Sequence, residues 1–154
     1  MACALVAGLA RGASTPLLAV SGAIHTQLAL SAADLAALPR AKVSVGDEHG
    51  TIVVYEGVPA REILQRAGAP LGKELRGPNM TMCVVAGGSD GYQAVFALAE
   101  FDSGFTDQII LVADHRDGQP LNSREGPLRL IVPSDKRPAR WVRALTTLRL
   151  KNAR

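Results

Sequence analysis

Aromatic side chains are scarce in this chain, at 4% of its residues. Recognition of nucleic acid by stacking bases on aromatic platforms is therefore disfavoured, and no nucleic-acid motif appears. Cysteine is limited to Cys3 and Cys83, with no C-x-x-C pair, and His25, His49 and His115 are scattered. Zinc-type ligand spacing is absent, so no metal site is assigned from the sequence. Long hydrophobic runs are missing as well. The apolar stretch Ala2–Ala10 is too short to span a membrane. No internal repeat, no low-complexity tract and no repeating βα pattern is present, which argues against a Rossmann-type fold.

What is present is a chain of 154 residues, 47% hydrophobic and 20% charged, long enough to bury one sizeable core. Fifteen glycines and nine prolines punctuate many short apolar runs, which favours strands with short helices. The segment Ala2–Ala10 followed by Gly12-Ala13-Ser14 resembles the apolar core and cleavage site of an export signal, although Arg11 lies on the wrong side of it. Residues 1–14 are therefore read as a leader and 15–154 as a single domain, exported to the periplasm or secreted, otherwise cytoplasmic. With Cys3 in a removable leader, a disulfide framework is not expected.

Along that domain the pattern predicts strands at Leu17–Ser21 and Thr26–Leu30. Ser31 and Asp34 form a capping-box-like start to a helix over Ala32–Leu38 that Pro39 stops. Strands at Ala41–Val45 and Thr51–Tyr55 flank a hairpin loop. Gly57-Val58-Pro59 is expected to open a helix that Gly68 ends. Further strands are expected at Met80–Ala86, Tyr92–Leu98, Ile109–Ala113, Leu128–Val132 and Leu145–Leu150, with short helical turns at Ala99–Phe101 and Pro138–Ala144. The sum is α+β, with eight or nine strands.

Several residue groups invite a chemical role. Gly87-Gly88-Ser89-Asp90-Gly91 has neither the lysine of a P-loop nor the spacing of a dinucleotide fingerprint, and reads as a tight turn. Ser89, Asp90 and His115 include the residue types of a hydrolase triad, but no nucleophile elbow accompanies them, and no catalytic residue is assigned. Cys83, between Met82 and Val84, reads as a buried structural thiol. Charge is the stronger signal. Net charge is +3, and from Arg124 onward nine of the 17 basic residues face only Glu125 and Asp135. This is either a solvated basic face or an anion site. Arg129 sits among Leu128, Leu130 and Val132. It either points outward from a half-buried strand or into a groove with Arg124 and Arg140, where three guanidiniums can hold an oxyanion. Trp141 is either a flat wall of that groove or a core anchor.

The order of short motifs then resembles a known family. Tyr55-Glu-Gly-Val-Pro-Ala-Arg-Glu-Ile-Leu64 resembles the Trp-x-Gly-Val-Pro-Leu-x-x-Leu-Leu segment of the oxidoreductase molybdopterin-binding domain, which has the sulfite-oxidase-like fold. Ser89-Asp-Gly-Tyr92, Asp117-Gly-Gln-Pro-Leu121, Gly126-Pro-Leu-Arg-Leu-Ile-Val-Pro133 and Arg140-Trp-Val142 resemble further motifs of that family in the same order. The resemblance covers residues 17–150. It implies a mixed, barrel-like α+β domain that holds a molybdenum-pterin cofactor, molybdopterin. Arg129 and Arg140 match the family's pterin-lining arginine and lysine, and Arg124 stands where the family has histidine.

One departure concerns the metal. The family's metal-ligating cysteine lies upstream of the Gly-Val-Pro segment, and the matching stretch here, Val43–Val54, contains no cysteine. Soft thiolate ligation anchors such a metal, so its redox chemistry is not expected to survive. The residues leave three functions open. One is a pterin or small-anion binder with little redox catalysis. Another is a non-enzymatic exported module with a protein or small-anion partner. The last is a molybdenum oxidoreductase with atypical ligands.

Overall fold

The computed structural model describes residues 15–154. The leader assigned to 1–14 lies outside them. Ten strands form two open five-stranded sheets. In the first sheet the order is β2 (Leu28–Leu30), β1 (Leu18–Gly22), β10 (Leu145–Asn152), β5 (Met82–Gly88) and β6 (Gln93–Ala97). Its centre is β10, which runs parallel to β1 and antiparallel to β5. The first and last strands of the described residues are thus paired, with Ala19 opposite Thr147. Alternation supplies the inward face: Leu148 and Leu150 of β10, Leu18 and Val20 of β1, and Val84 and Ala86 of β5 all join the main core.

The second sheet contains β3 (Ala41–Gly46), β4 (Ile52–Pro59), β7 (Leu111–Arg116) and β8 (Gln119–Pro120) in that order, with β9 (Arg129–Ile131) also paired to β7. β3 and β4 form the expected hairpin. Asp117 and Gly118, both at positive φ, turn β7 into β8 as the Asp-Gly signal requires. Helix α1 (Ala32–Ala37) carries the capping box foreseen from Ser31 and Asp34. Helix α2 (Ala60–Arg66) presses Ile63 and Leu64 into the core and ends at Gly68. No helix of the described residues is long and apolar enough to cross a membrane.

The middle of this sheet, Leu111–Ala113 of β7 and β9, is buried on both faces, and a bulge arranges it. The register of β4 against β7 shifts between Glu56 and Gly57. Upstream of the shift, Val53 and Tyr55 face a small second cluster with Leu111, Ala113 and Ile131. Downstream of it, Val58 joins the main core. Only glycine is tolerated at the shift, because a Cβ on Gly57 would lie 2.0 Å from the Val112 carbonyl oxygen. Gly57-Val58-Pro59 therefore continues the strand instead of opening the helix, which starts at Ala60 with Pro59 as its N-cap.

Two other expectations change. The helix expected over Pro138–Ala144 is a single 3-10 turn, Pro138–Arg140. Beyond it the chain is drawn out against its neighbours. Val142 accepts from the Leu130 amide, and the Ala144 amide donates to the Glu125 carbonyl at 2.8 Å. Cys83 is half-buried. Val84 and Ala86 take the core side of β5, so the pleat turns Cys83 to the outer face, opposite Ala97.

Candidate functional site

The alternation that sends Leu128, Leu130 and Val132 into the main core sends Arg129 and Ile131 to the other side of β9. That side is not solvent. Arg129 is 6% exposed and lies in the floor of a cleft of about 410 Å³. The β3–β4 hairpin around Asp47–His49 forms one wall. The segment from Asp135 to Arg143 forms the other, and Tyr55, Arg116 and Glu125 join Arg129 in the cleft. The hairpin loop is held by Asp47, whose Oδ1 accepts from the amides of His49 and Thr51.

Within the cleft the buried cation already has an anion. Glu125, also 6% exposed, accepts through Oε1 from Arg129 Nη1. The same oxygen receives Arg116 Nη1 at 3.2 Å and the Tyr55 hydroxyl at 3.4 Å, and Arg129 Nη1 donates to the Tyr55 oxygen at 3.2 Å. Burial lifts the Tyr55 phenol above its ordinary pKa although Arg129 opposes the shift, so the hydroxyl keeps its proton and donates. The Arg129 guanidinium carbon lies 5.5 Å from the Trp141 ring centre and 6.0 Å from that of Tyr55. The two rings meet edge to face, 6.4 Å apart. Cation–π contact thus adds to the pairing.

The turn before β9 places Glu125. Asn122 Oδ1 accepts from the amides of Arg124 and Glu125, and the Asn122 carbonyl accepts from Gly126. The Glu125 carbonyl in turn receives the Ala144 amide. This turn directs Glu125 inward and leaves Arg124 exposed.

Three polar atoms of the floor are buried without a hydrogen-bond partner among the described residues: Glu125 Oε2, Arg129 Nε and Trp141 Nε1. Native proteins leave few such atoms, and each costs about 1–3 kcal/mol when nothing pairs with it.

Of the three arginines singled out in the sequence, Arg129 lines the cleft; Arg124 and Arg140 do not. Arg140 grips Asp135 through Nε and Nη2 at 2.9 and 2.8 Å and reaches Glu100 with both terminal nitrogens. Its guanidinium carbon is 4.4 Å from the Phe96 ring centre. Trp141, beside it, faces the cleft. Ser89 and Asp90 lie in the β5–β6 turn of the first sheet, where Asp90 accepts from the Tyr92 amide. His115 lies on β7 of the second sheet, with Nδ1 2.6 Å from Asp114 Oδ1. A shallower hollow of about 220 Å³ shares Arg129, Trp141 and Arg143 with the cleft and runs to Asp90 and Tyr92. A separate hollow of about 250 Å³ beside Pro59 and Phe101 has no buried charged residue in its lining. No group of three or more potential metal-ligating side chains occurs among the described residues.

Sequence reasoning missed Glu125, Arg116 and the role of Tyr55. Spacing carries no signal for their meeting: Glu125 and Tyr55 reach Arg129 from a turn and from another strand, and Arg116 reaches Glu125 from a third element.

A family model, the oxidoreductase molybdopterin binding domain, matches residues 11–154. The chain belongs to this family. The architecture of this molybdopterin-binding-domain protein also matches the crystal structure of the sulfane dehydrogenase SoxCD from Paracoccus pantotrophus. The TM-score is 0.68 at 19% identity, covering 89% of this chain. The chain spans 38% of the SoxCD chain it matches, and at this identity the likeness is one of fold. A search of curated proteins finds no significant match. The family assignment and the fold agree with the motifs read from the sequence.

Proposed function

We propose that the cleft binds the pterin portion of a molybdopterin-type cofactor, or another small anionic ligand, and supports little or no redox catalysis. The observation that carries this reading is the buried Arg129–Glu125 pair lining a cleft that also holds Arg116, Lys136 and Arg143.

The residues fit a pterin in kind. A pterin ring is flat and carries both N–H donors and carbonyl or ring-nitrogen acceptors. Tyr55 and Trp141 offer aromatic surface, while Glu125, Arg116 and Arg129 line the cleft with charged groups of both signs. At the mouth, Lys136 and Arg143 are exposed and available to the phosphate of a pterin tail. The cleft volume lies in the range of small-molecule sites, roughly 300–1,000 Å³.

The residues do not fit a thiolate-held metal. No cysteine lines the cleft, and Cys83 lies on the outer face of the other sheet. When it carries its metal, the family's cofactor supplies two-electron redox chemistry. This chain's own residues bind and orient a flat polar ring and shield its edge from water. Export belongs to the same reading, on the strength of the apolar Ala2–Ala10 stretch.

Expression in a cofactor-competent host, followed by pterin and molybdenum analysis of the purified protein, tests this. Pterin without metal is the expected result. Stoichiometric metal with pterin overturns the loss of redox chemistry, and neither one points to a module that binds a protein partner. Fractionating the same cells locates the protein.

A further inference from the structure

An open strand edge offers unpaired amides and carbonyls to any extended segment, and proteins guard such edges with side chains, bulges or short strands. Most edges here are guarded. Strands β2, β8 and β9 have only two or three residues each. β6 is capped by side chains: Arg140 Nη1 donates to the Val95 carbonyl at 3.5 Å, and Glu100 Oε2 accepts from the Ala97 amide at 2.9 Å. β3 is different. It runs for six residues along the end of the second sheet, and among the described residues its backbone pairs only with β4.

This edge is also complementary to itself. Val43 and Val45 are half-buried against the second cluster, while Lys42, Ser44 and Gly46 alternate onto the opposite face and are exposed. Arg40 and Lys42 stand at its start, and Asp47 and Glu48 follow its end. A cationic start meets an acidic end when two copies of such a strand run antiparallel.

We propose that β3 is a docking edge for a second copy of this chain, which adds its own β3 antiparallel to it. Pairing Val43 with Val45 of the second copy sets the register. Ser44 then faces its own counterpart across the two-fold axis, and Lys42 faces Gly46 beside the Asp47–Glu48 turn. Gly46 has no side chain, and Ile52, opposite it on β4, is 64% exposed. The aliphatic stem of the incoming Lys42 lies over Gly46 against Ile52, and its ammonium reaches the carboxylates. Symmetry makes each contact twice. Both clefts open on the valine side of the joined sheet, because Val45 lines each of them. The inference does not depend on what the cleft holds.

Analytical ultracentrifugation of the full chain over a concentration series, up to its solubility limit, tests this. A monomer–dimer equilibrium is expected. Ser44→Lys sets two like charges face to face and should abolish the dimer. Lys42→Glu turns two attractive contacts repulsive and should weaken it about tenfold or more. Adding Glu48→Lys to Lys42→Glu exchanges the charges and should recover much of that loss. All three positions are exposed, and thermal melting checks that each variant is folded. In a chain carrying Cys3→Ser and Cys83→Ser, Ser44→Cys should give a disulfide-linked dimer under mild oxidation, since directly opposed residues lie about 4.5–5.5 Å apart. Lys42→Cys should not, because four residues of strand separate it from its counterpart by about 13 Å.

A wild-type chain that stays monomeric throughout overturns the proposal, as does a dimer that Ser44→Lys leaves intact. A dimer that links through Lys42→Cys, or that Glu48→Lys does not recover, overturns the antiparallel register.

Discussion

Arg129 and Arg140 both match pterin-lining positions of the family, yet their surroundings differ. Arg140 is saturated: two carboxylates and the Val95 carbonyl take its donors, and Phe96 lies under its plane. Its pKa is raised by hydrogen bonds to Asp135 and then Glu100, against some burial. It ties the Pro138–Arg140 turn to the edge of β6 and to the Leu98–Phe101 turn. Arg129 is more deeply buried and less satisfied, with a single carboxylate oxygen, one phenol and an idle Nε. A saturated arginine fixes structure. A less satisfied one, held by aromatic rings and a carboxylate, is the one that lines the cleft.

The sharpest way to break this contrast is to remove Arg129. Arg129→Ala leaves the Glu125 carboxylate buried without its closest cation, which should cost about 3–5 kcal/mol in urea unfolding. The double replacement Arg129→Met with Glu125→Leu removes both charges and should recover most of that loss while abolishing pterin binding. A double variant no more stable than the single one would show that Glu125 is not what the arginine neutralises.

Arg140→Ala should cost less, about 1–2 kcal/mol, from two solvent-screened ion pairs and a cation–π contact. Pterin binding should be unchanged. A tenfold loss of pterin affinity in a folded Arg140→Ala protein would place both arginines in one site and erase the distinction.

Local features of this fold were legible because local chemistry decides them. Ser31 and Asp34 form the expected capping box, Asp117-Gly118 turns the expected hairpin, and the leucines of β10 alternate into the core. The failures have non-local causes. Pro59 reads as the first turn of a helix, but the bulge against β7 keeps Gly57 and Val58 in a strand. The exit of the Pro138–Arg140 turn is governed by hydrogen bonds to Leu130 and Glu125. Arg129 was legible as an anomaly among leucines. Its partners were not, since Tyr55 arrives from another strand, as does the Arg116 that shares Glu125, and the inward turn of Glu125 depends on Asn122. The sequence suggested a missing anion; the structure supplies one from the chain itself, the Glu125 carboxylate.

A third arginine tests how far saturation alone governs stability. Arg40 holds Asp114 with two bonds of 2.8 and 2.6 Å at a partly exposed position on the second sheet. Burial pushes the Asp114 carboxyl up, but the bonds from Arg40 and His115 more than offset this and hold it below its ordinary range. A lowered folded pKa means that the ionised form stabilises the fold above the unfolded value of about 3.9. That contribution disappears as pH falls through the lowered folded value. The effect should be under about 1 kcal/mol, as for other solvent-screened pairs. Melting temperatures of wild type and Asp114→Asn should therefore differ at pH 6 and converge towards pH 2, with pterin binding at neutral pH the same in both. A gap that persists at pH 2 would mean that Asp114 acts through packing rather than charge.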